Sequence, residues 1–194
     1  MVGTVRRRGR LTVDRSAALA RLLAEDQAED RAVLAGQPAY VALRTRDRTR
    51  RETVMALLVD GWPEDADALY AGAWVLNHGD LSEEAALASR LAARAAELGR
   101  PGARWLAAAA LDRSLMYAER PQKFGTNIVP DGVGWRLWDV DPETTDAERL
   151  ANDVPTLAEM EARAAAITDP QPDMGGAPDS HRRAMRRWGT LPPE

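Results

Sequence analysis

The chain has 194 residues, 26 basic and 30 acidic for a formal net charge of −4, with no cysteine and a single phenylalanine. That length suits one domain with a real core. Interspersed charges give no pull towards nucleic acid, and the missing cysteine excludes disulfides, thiolate nucleophiles and cysteine-held metal.

Residues 1–11 carry Arg6, Arg7, Arg8 and Arg10 without hydrophobic periodicity and read as a flexible basic arm before a helical domain over 12–168. No signal-type apolar segment follows it, and no run nears the roughly 18 residues of a membrane span, so the expected setting is cytoplasmic. Leu19, Leu22, Leu23, Val33 and Leu34 recur at helical spacing. They predict a first helix that begins at Thr12 or Asp14 and runs to Leu34, ended by Gly36 and Pro38. Asp26 and Asp30 fall on the same stripe. Asp26 lies four residues after Leu22, so it points inward and needs a partner, unless this face is simply a helix edge in water. Tyr40-Val41-Ala42-Leu43 reads as a connector, and 47–60 as a second helix with Val54, Leu57 and Leu58 buried. Arg50 and Arg51 reach along that core face, and one of them is the expected partner of Asp26.

Gly61-Trp62-Pro63 breaks the chain, with Trp62 as a packing anchor and Pro63 in the first turn of the next helix. Between Ala68 and Leu76 there is no charge, so a helix here is apolar nearly all round and must be the buried centre of the fold. It runs out in Asn77, His78 and Asp80. His78 is one of two histidines, the other being His181 in the tail. The plain alternative is a hydrogen-bonded histidine at a helix end, with Asp80 capping the next helix. Asp80-Leu81-Ser82-Glu83 has capping-box spacing for a helix to Leu98, closed by Gly99. From Pro101 a further helix reaches about Glu119. Its Asp112, four residues after Ala108, is a second acid turned inward, expected to meet an arginine or His78.

Pro130-Asp131-Gly132 between two β-prone runs predicts a hairpin within 124–138, either a lid over a site or a cover in which Trp135 and Trp138 close the bundle end. Thr145 with Glu148 and Thr156 with Glu159 have capping-box spacing for a short helix and a last one through Ile167. Residues 169–194 are rich in Pro, Gly and Asp, then basic, and read as disordered or as a segment that docks on a partner. The fold expected is therefore mainly α, a single-domain bundle of six or seven helices around one buried central helix, with a small β-hairpin.

The sequence has no Gly-rich phosphate loop, no paired-histidine zinc motif, no nucleophile elbow and no solenoid repeat. What it has is an order of short motifs: Asp26-Gln27 with Arg31, Asp47, Gly61-Trp62-Pro63, Asn77-His78-Gly79-Asp80, Ala110-Leu111-Asp112-Arg113 and Gln122-Lys123-Phe124-Gly125-Thr126. This order resembles the domain of unknown function 6624 family, uncharacterised small bacterial proteins with a Gln-His-Ala-Asp motif, an Asp-Arg pair and a Gln-x-Tyr-Gly-Thr motif. The chain departs from it in Asn77 for Gln, Gly79 for Ala and Phe124 for Tyr. The resemblance implies no particular activity, and directs attention to His78, Asp80, Asp112, Arg113, Gln122, Gly125 and Thr126.

In chemical terms, a neutral imidazole can move a proton near pH 7, a carboxylate can fix its tautomer, and a guanidinium can hold an anion bidentately. His78 is thus the expected acid or base, oriented by Asp112 or Asp80, with Arg113, Gln122, Thr126, Asp26 and Arg50 holding a small polar or anionic substrate. The reaction class is hydrolase, lyase or cyclase, with no cofactor and no metal, because no nucleophile with a base and no second histidine accompany His78. Association into a homo-oligomer is left open. The competing reading is a non-catalytic ligand- or partner-binding module in which the same groups form a buried polar network. An enzyme should show His78 in a cleft shared with Arg113 and the hairpin.

Overall fold

The computed structural model describes residues 14–29 and 37–192; the basic arm over 1–11, and Asp30, Arg31, Val33, Leu34 and Gly36, lie outside them. The uncharged run forms α3 (Ala66–Asn77), capped by Asp65, whose side chain accepts from the N–H groups of Asp67 at 3.2 Å and Ala68 at 3.3 Å. Pro63 therefore lies ahead of the helix, not in its first turn. Eight of the 12 residues of α3 are buried, the largest share of any described helix. Around it stand α1 (Arg15–Gln27), α2 (Pro38–Leu58), α4 (Ser82–Glu97) and α5 (Ala103–Tyr117). Gly72 shows how closely they meet: a Cβ there would lie 3.6 Å from Leu19, 3.6 Å from Val54 and 3.8 Å from Leu91, side chains of three different helices.

Several boundaries differ from the expectation. α1 stops at Gln27, where Ala28 and Glu29 turn their N–H groups back to Ala24 and Asp26. No apolar residue of the stripe follows Leu23 until Val33, so there is nothing for a further turn to bury. Pro38 starts α2 instead of ending α1; at the first position its missing N–H costs nothing. The supposed connector is the first turns of that helix, and Leu43 is buried in it. Trp62 is 41% exposed and belongs to none of the hydrophobic clusters of buried residues. The N-cap of α4 is Leu81, with no side-chain cap bond, because the Asp80 carboxylate is engaged elsewhere.

After α5 come β1 (Ile128–Pro130) and β2 (Trp135–Leu137), antiparallel, with Val129 opposite Arg136. Asp131 closes their turn by accepting from the N–H groups of Val133 at 2.9 Å and Gly134 at 2.7 Å. α6 (Asp146–Ala151) and α7 (Leu157–Ala165) each open with the expected capping box. Between residues 169 and 192 the chain is not unstructured. A 3₁₀ turn over Met174–Gly176 leads into α8 (Asp179–Trp188), which lays Ala184 and Met185 against the hairpin. Trp138 and Trp188 meet edge to face at 5.4 Å, His181 bonds the Pro130 carbonyl at 2.7 Å, and Arg187 and Trp188 both hold Asp139. The described chain is thus mainly α, with eight α-helices and one two-stranded hairpin. None of its helices is long and apolar enough to cross a membrane.

Candidate functional site

The last carbonyls of a helix lack intrahelical partners and form the negative end of its dipole. At the end of α3 these acceptors are met by side chains from α2 and α5. The Asn77 carbonyl accepts from Arg113 Nη1 at 2.6 Å, and the His78 carbonyl from Arg44 Nη2 at 3.0 Å and Arg51 Nη1 at 3.4 Å. The Gly79 carbonyl accepts from the Tyr117 hydroxyl at 3.0 Å. Gly79 itself is confined: an added Cβ would stand 2.9 Å from the Leu76 carbonyl and 3.1 Å from Glu84 Cβ, and against the Glu84 carboxylate.

This frame holds the His78 ring with Nδ1 2.9 Å from Asp26 Oδ1. An ionised carboxylate only accepts, so the neutral tautomer that fits this contact carries its proton on Nδ1 and its lone pair on Nε2. The Asp26 side chain is 1% exposed and that of His78 19%. Nε2 makes no hydrogen bond among the described residues. Asp26 points inward as its stripe required, and its carboxylate is the group that meets the His78 ring. Neither Asp112 nor Asp80 orients the ring.

A charged inner face on α2 surrounds the pair. Arg50 lies 3.8 Å from Asp26 and bonds Asp47 at 2.6 Å and Glu29 at 2.8 Å. Hydrogen bonds from Arg46, joined by Arg50, pull the Glu29 carboxyl down to about 2. Arg44 bridges Asp47 at 2.9 Å and Asp80, while Arg51 joins Asp80 at 3.2 Å and Glu84 at 2.9 Å. Burial works against the Arg44 charge, yet Asp80 and Asp47 hold its pKa above the usual value. Such matching is what allows Asp47, Arg50 and Arg51 to be buried at all.

Asp112, fully buried, meets neither an arginine nor His78. Its Oδ1 accepts from the N–H groups of Lys123 at 2.7 Å and Phe124 at 2.8 Å, and its Oδ2 from Thr126 N–H at 2.9 Å and Thr126 Oγ1 at 2.8 Å. Burial pushes this carboxyl up and the four donors oppose it; only the ionised form accepts all four. Gln122, also fully buried, accepts from Asn127 N–H at 2.9 Å and donates to the Trp138 carbonyl at 3.0 Å. Gln122 and Thr126 therefore knit the loop over 122–127, and their polar groups are turned to it. Arg113 ties that loop to α3, with Nε 3.4 Å from Asn127 Oδ1.

The predicted site residues thus form two groups. His78, Asp26, Arg50 and Asp80 come together with the arginines of α2; Asp112, Gln122 and Thr126 organise the loop, and Arg113 joins the two. Sequence reasoning missed Arg44, Glu84 and Tyr117. Arg44, Asp47 and Arg51 sit at i, i+3 and i+7, a signal visible only once the helix is known to start at Pro38. Among the described residues no three His, Asp or Glu side chains are placed to hold a metal ion. A cavity of about 380 Å³ opens between β2, residues 138–144, α6 and α7, and neither His78 nor Arg113 lines it. The cleft expected to join them to the hairpin is not at that place. No family model, no curated protein and no solved structure matches the chain.

Proposed function

We propose that Asp26 and His78 are an acid–base pair acting on a small polar or anionic substrate, in a metal-independent reaction of hydrolase, lyase or cyclase type. The observation that carries this reading is the 2.9 Å contact between a buried carboxylate and Nδ1 of a partly exposed imidazole. Such a pair presents a basic Nε2 outward and stabilises the imidazolium formed when that nitrogen takes a proton. Arg44, its side chain 25% exposed against 7% for Arg50 and 4% for Arg51, is the guanidinium best placed to meet an anion. Kinship with the domain of unknown function 6624 family and a cytoplasmic setting belong to the same proposal. The kinship draws support from the way Arg113 brings the motif around His78 and the motif at 122–126 to one end of α3.

The second reading, a non-catalytic module whose polar network ties α1, α2 and α3, has its own support. The arginines near His78 are already bonded to carbonyls or carboxylates, and His78 does not line the cavity beside β2, α6 and α7. A panel of phosphoesters, carboxylic esters, lactones and amides, run on the wild type, His78→Ala and Asp26→Asn, separates the two. The enzyme reading expects turnover of at least one class that falls about 10²- to 10⁴-fold in His78→Ala while circular dichroism is unchanged. Turnover that survives the change, an inert panel, or a fold lost with the imidazole supports the network.

A further inference from the structure

Eight large apolar side chains are exposed among the described residues, and four of them, Val41 at 64%, Met55 at 42%, Val59 at 80% and Trp62 at 41%, belong to α2 and its end. Single exposed apolar residues are ordinary, but these share one line. Val41, Thr45, Arg48, Glu52, Met55 and Val59 follow one another in alternating steps of four and three, the spacing of a coiled-coil seam, and Trp62 comes three residues further on. Val59 is the C-cap and keeps helical dihedrals, so the seam runs nearly the length of the helix. All six residues are exposed, on the side of α2 away from buried Leu43, Arg50 and Val54.

The two charges in the seam identify its partner. Arg48 and Glu52 form no ion pair among the described residues, and arginine before glutamate at i, i+4 is the weaker order for pairing within a helix. A second α2 laid antiparallel on the first, about a two-fold axis at the level of Arg50, sets Arg48 of each copy against Glu52 of the other. The same axis sets Val41 against Val59 and Thr45 against Met55. The Thr45 hydroxyl donates to the Val41 carbonyl of its own helix at 2.9 Å, so its methyl group can face Met55, whose side chain fills irregular gaps. A parallel pair would set Arg48 on Arg48 and Glu52 on Glu52. A shift of one heptad would set both charges against uncharged side chains. The pattern thus favours one direction and one register.

We infer that the outer face of α2 is the contact surface of a two-fold homodimer, in which this seam packs antiparallel against the same seam of a second copy. Arg48 and Glu52 set direction and register, while Val41, Met55 and Val59 supply the apolar contact. From Val41 to Val59 the seam is about 27 Å long at the helical rise of about 1.5 Å per residue. One helix pair of that length is at the small end of specific interfaces, so the dimer is reversible, with a Kd of about 1–100 μM. The interface is independent of any reaction at His78.

The test is sedimentation equilibrium of the full chain from about 1 μM to about 1 mM, which should show a monomer–dimer equilibrium in that range. Val59→Asp alters a side chain that is 80% exposed, so circular dichroism should be unchanged while dimerisation weakens about tenfold or more. Arg48→Glu and Glu52→Arg, each alone, oppose like charges at both ends of the central contact and should each weaken the dimer about tenfold or more. Net charge alone predicts otherwise for Glu52→Arg, which brings a chain of net charge −4 closer to neutrality. The double variant R48E/E52R restores both pairs and should dimerise within about threefold of the wild type. A chain that stays monomeric at about 1 mM, a dimer that Val59→Asp leaves intact, or a double variant no tighter than the single ones would each overturn the assignment.

Discussion

Replacing Asp112 by asparagine measures what the loop over 122–127 owes to one carboxylate. Each oxygen of Asp112 serves two donors, supplied by Lys123, Phe124 and Thr126. Asparagine keeps one acceptor oxygen and turns an NH₂ towards the other pair, so two charge-assisted bonds go. At about 1.5–3 kcal/mol apiece the loss is about 3–6 kcal/mol, and relaxation of the loop brings it to the lower part of that range. For a chain of this size that lowers Tm by on the order of 10 °C. Urea unfolding followed by circular dichroism gives the free energy, and amide exchange locates it. The N–H groups of Lys123, Phe124 and Thr126 should lose protection while those of α3 keep theirs. A loss under about 1 kcal/mol, far below two such bonds, would refute the reasoning and return Asp112 to the candidates for chemistry.

Two glycines of α3 and its end should respond in opposite directions. Gly72→Ala places a methyl at ordinary contact distance from Leu19, Val54 and Leu91 and should stabilise by about 0.5–1 kcal/mol in thermal unfolding. Gly79→Ala meets the Leu76 carbonyl and Glu84 and should cost about 1–3 kcal/mol in the same assay. Glu29, held by Arg46 and Arg50 at about 2 against an ordinary 4.5, contributes stability that is complete above pH 4.5 and is lost as the pH falls towards 2. The contribution is about 2–3 kcal/mol after solvent screening, and Glu29→Gln should flatten that limb of the acid unfolding curve. In Asp26→Asn the amide can donate to Nδ1 and favour the wrong tautomer, so any activity that depends on His78 should fall about 10²-fold or more with little change in substrate KM.

The central helix was legible because an uncharged run has only one place to go, and the capping boxes of α6 and α7 because their donors and acceptors are local. The start of α2 was not, because its inner face is polar: Asp47, Arg50 and Arg51 are buried by pairing, and a stripe of charges carries no hydrophobic period. Asp26 announced itself as inward-facing from its neighbours Leu22 and Leu23, yet its partner His78 stands 52 residues away, a distance over which spacing says nothing. Asp112 announced itself in the same way. Its partners are backbone N–H groups, which every residue except proline carries and which leave no mark in a sequence. α8 escaped notice because few apolar side chains, Ala184, Met185 and Trp188 among them, are set among arginines. Its docking relies on aromatic edges and on Asp139.

The clasp between α8 and the hairpin also bears on how the protein is made. Trp188 and its partner Asp139 are 49 residues apart. At roughly 5–20 residues per second, a ribosome takes about 2–10 s to deliver the second after the first. During that interval the helices through α5 can assemble, but Val129 and Trp138 wait in water for Ala184 to cover them. Completion of this end of the protein is therefore timed by elongation. A pause in translation between the hairpin and α8 would lengthen the nascent chain's exposure to chaperones and to its neighbours on the same message.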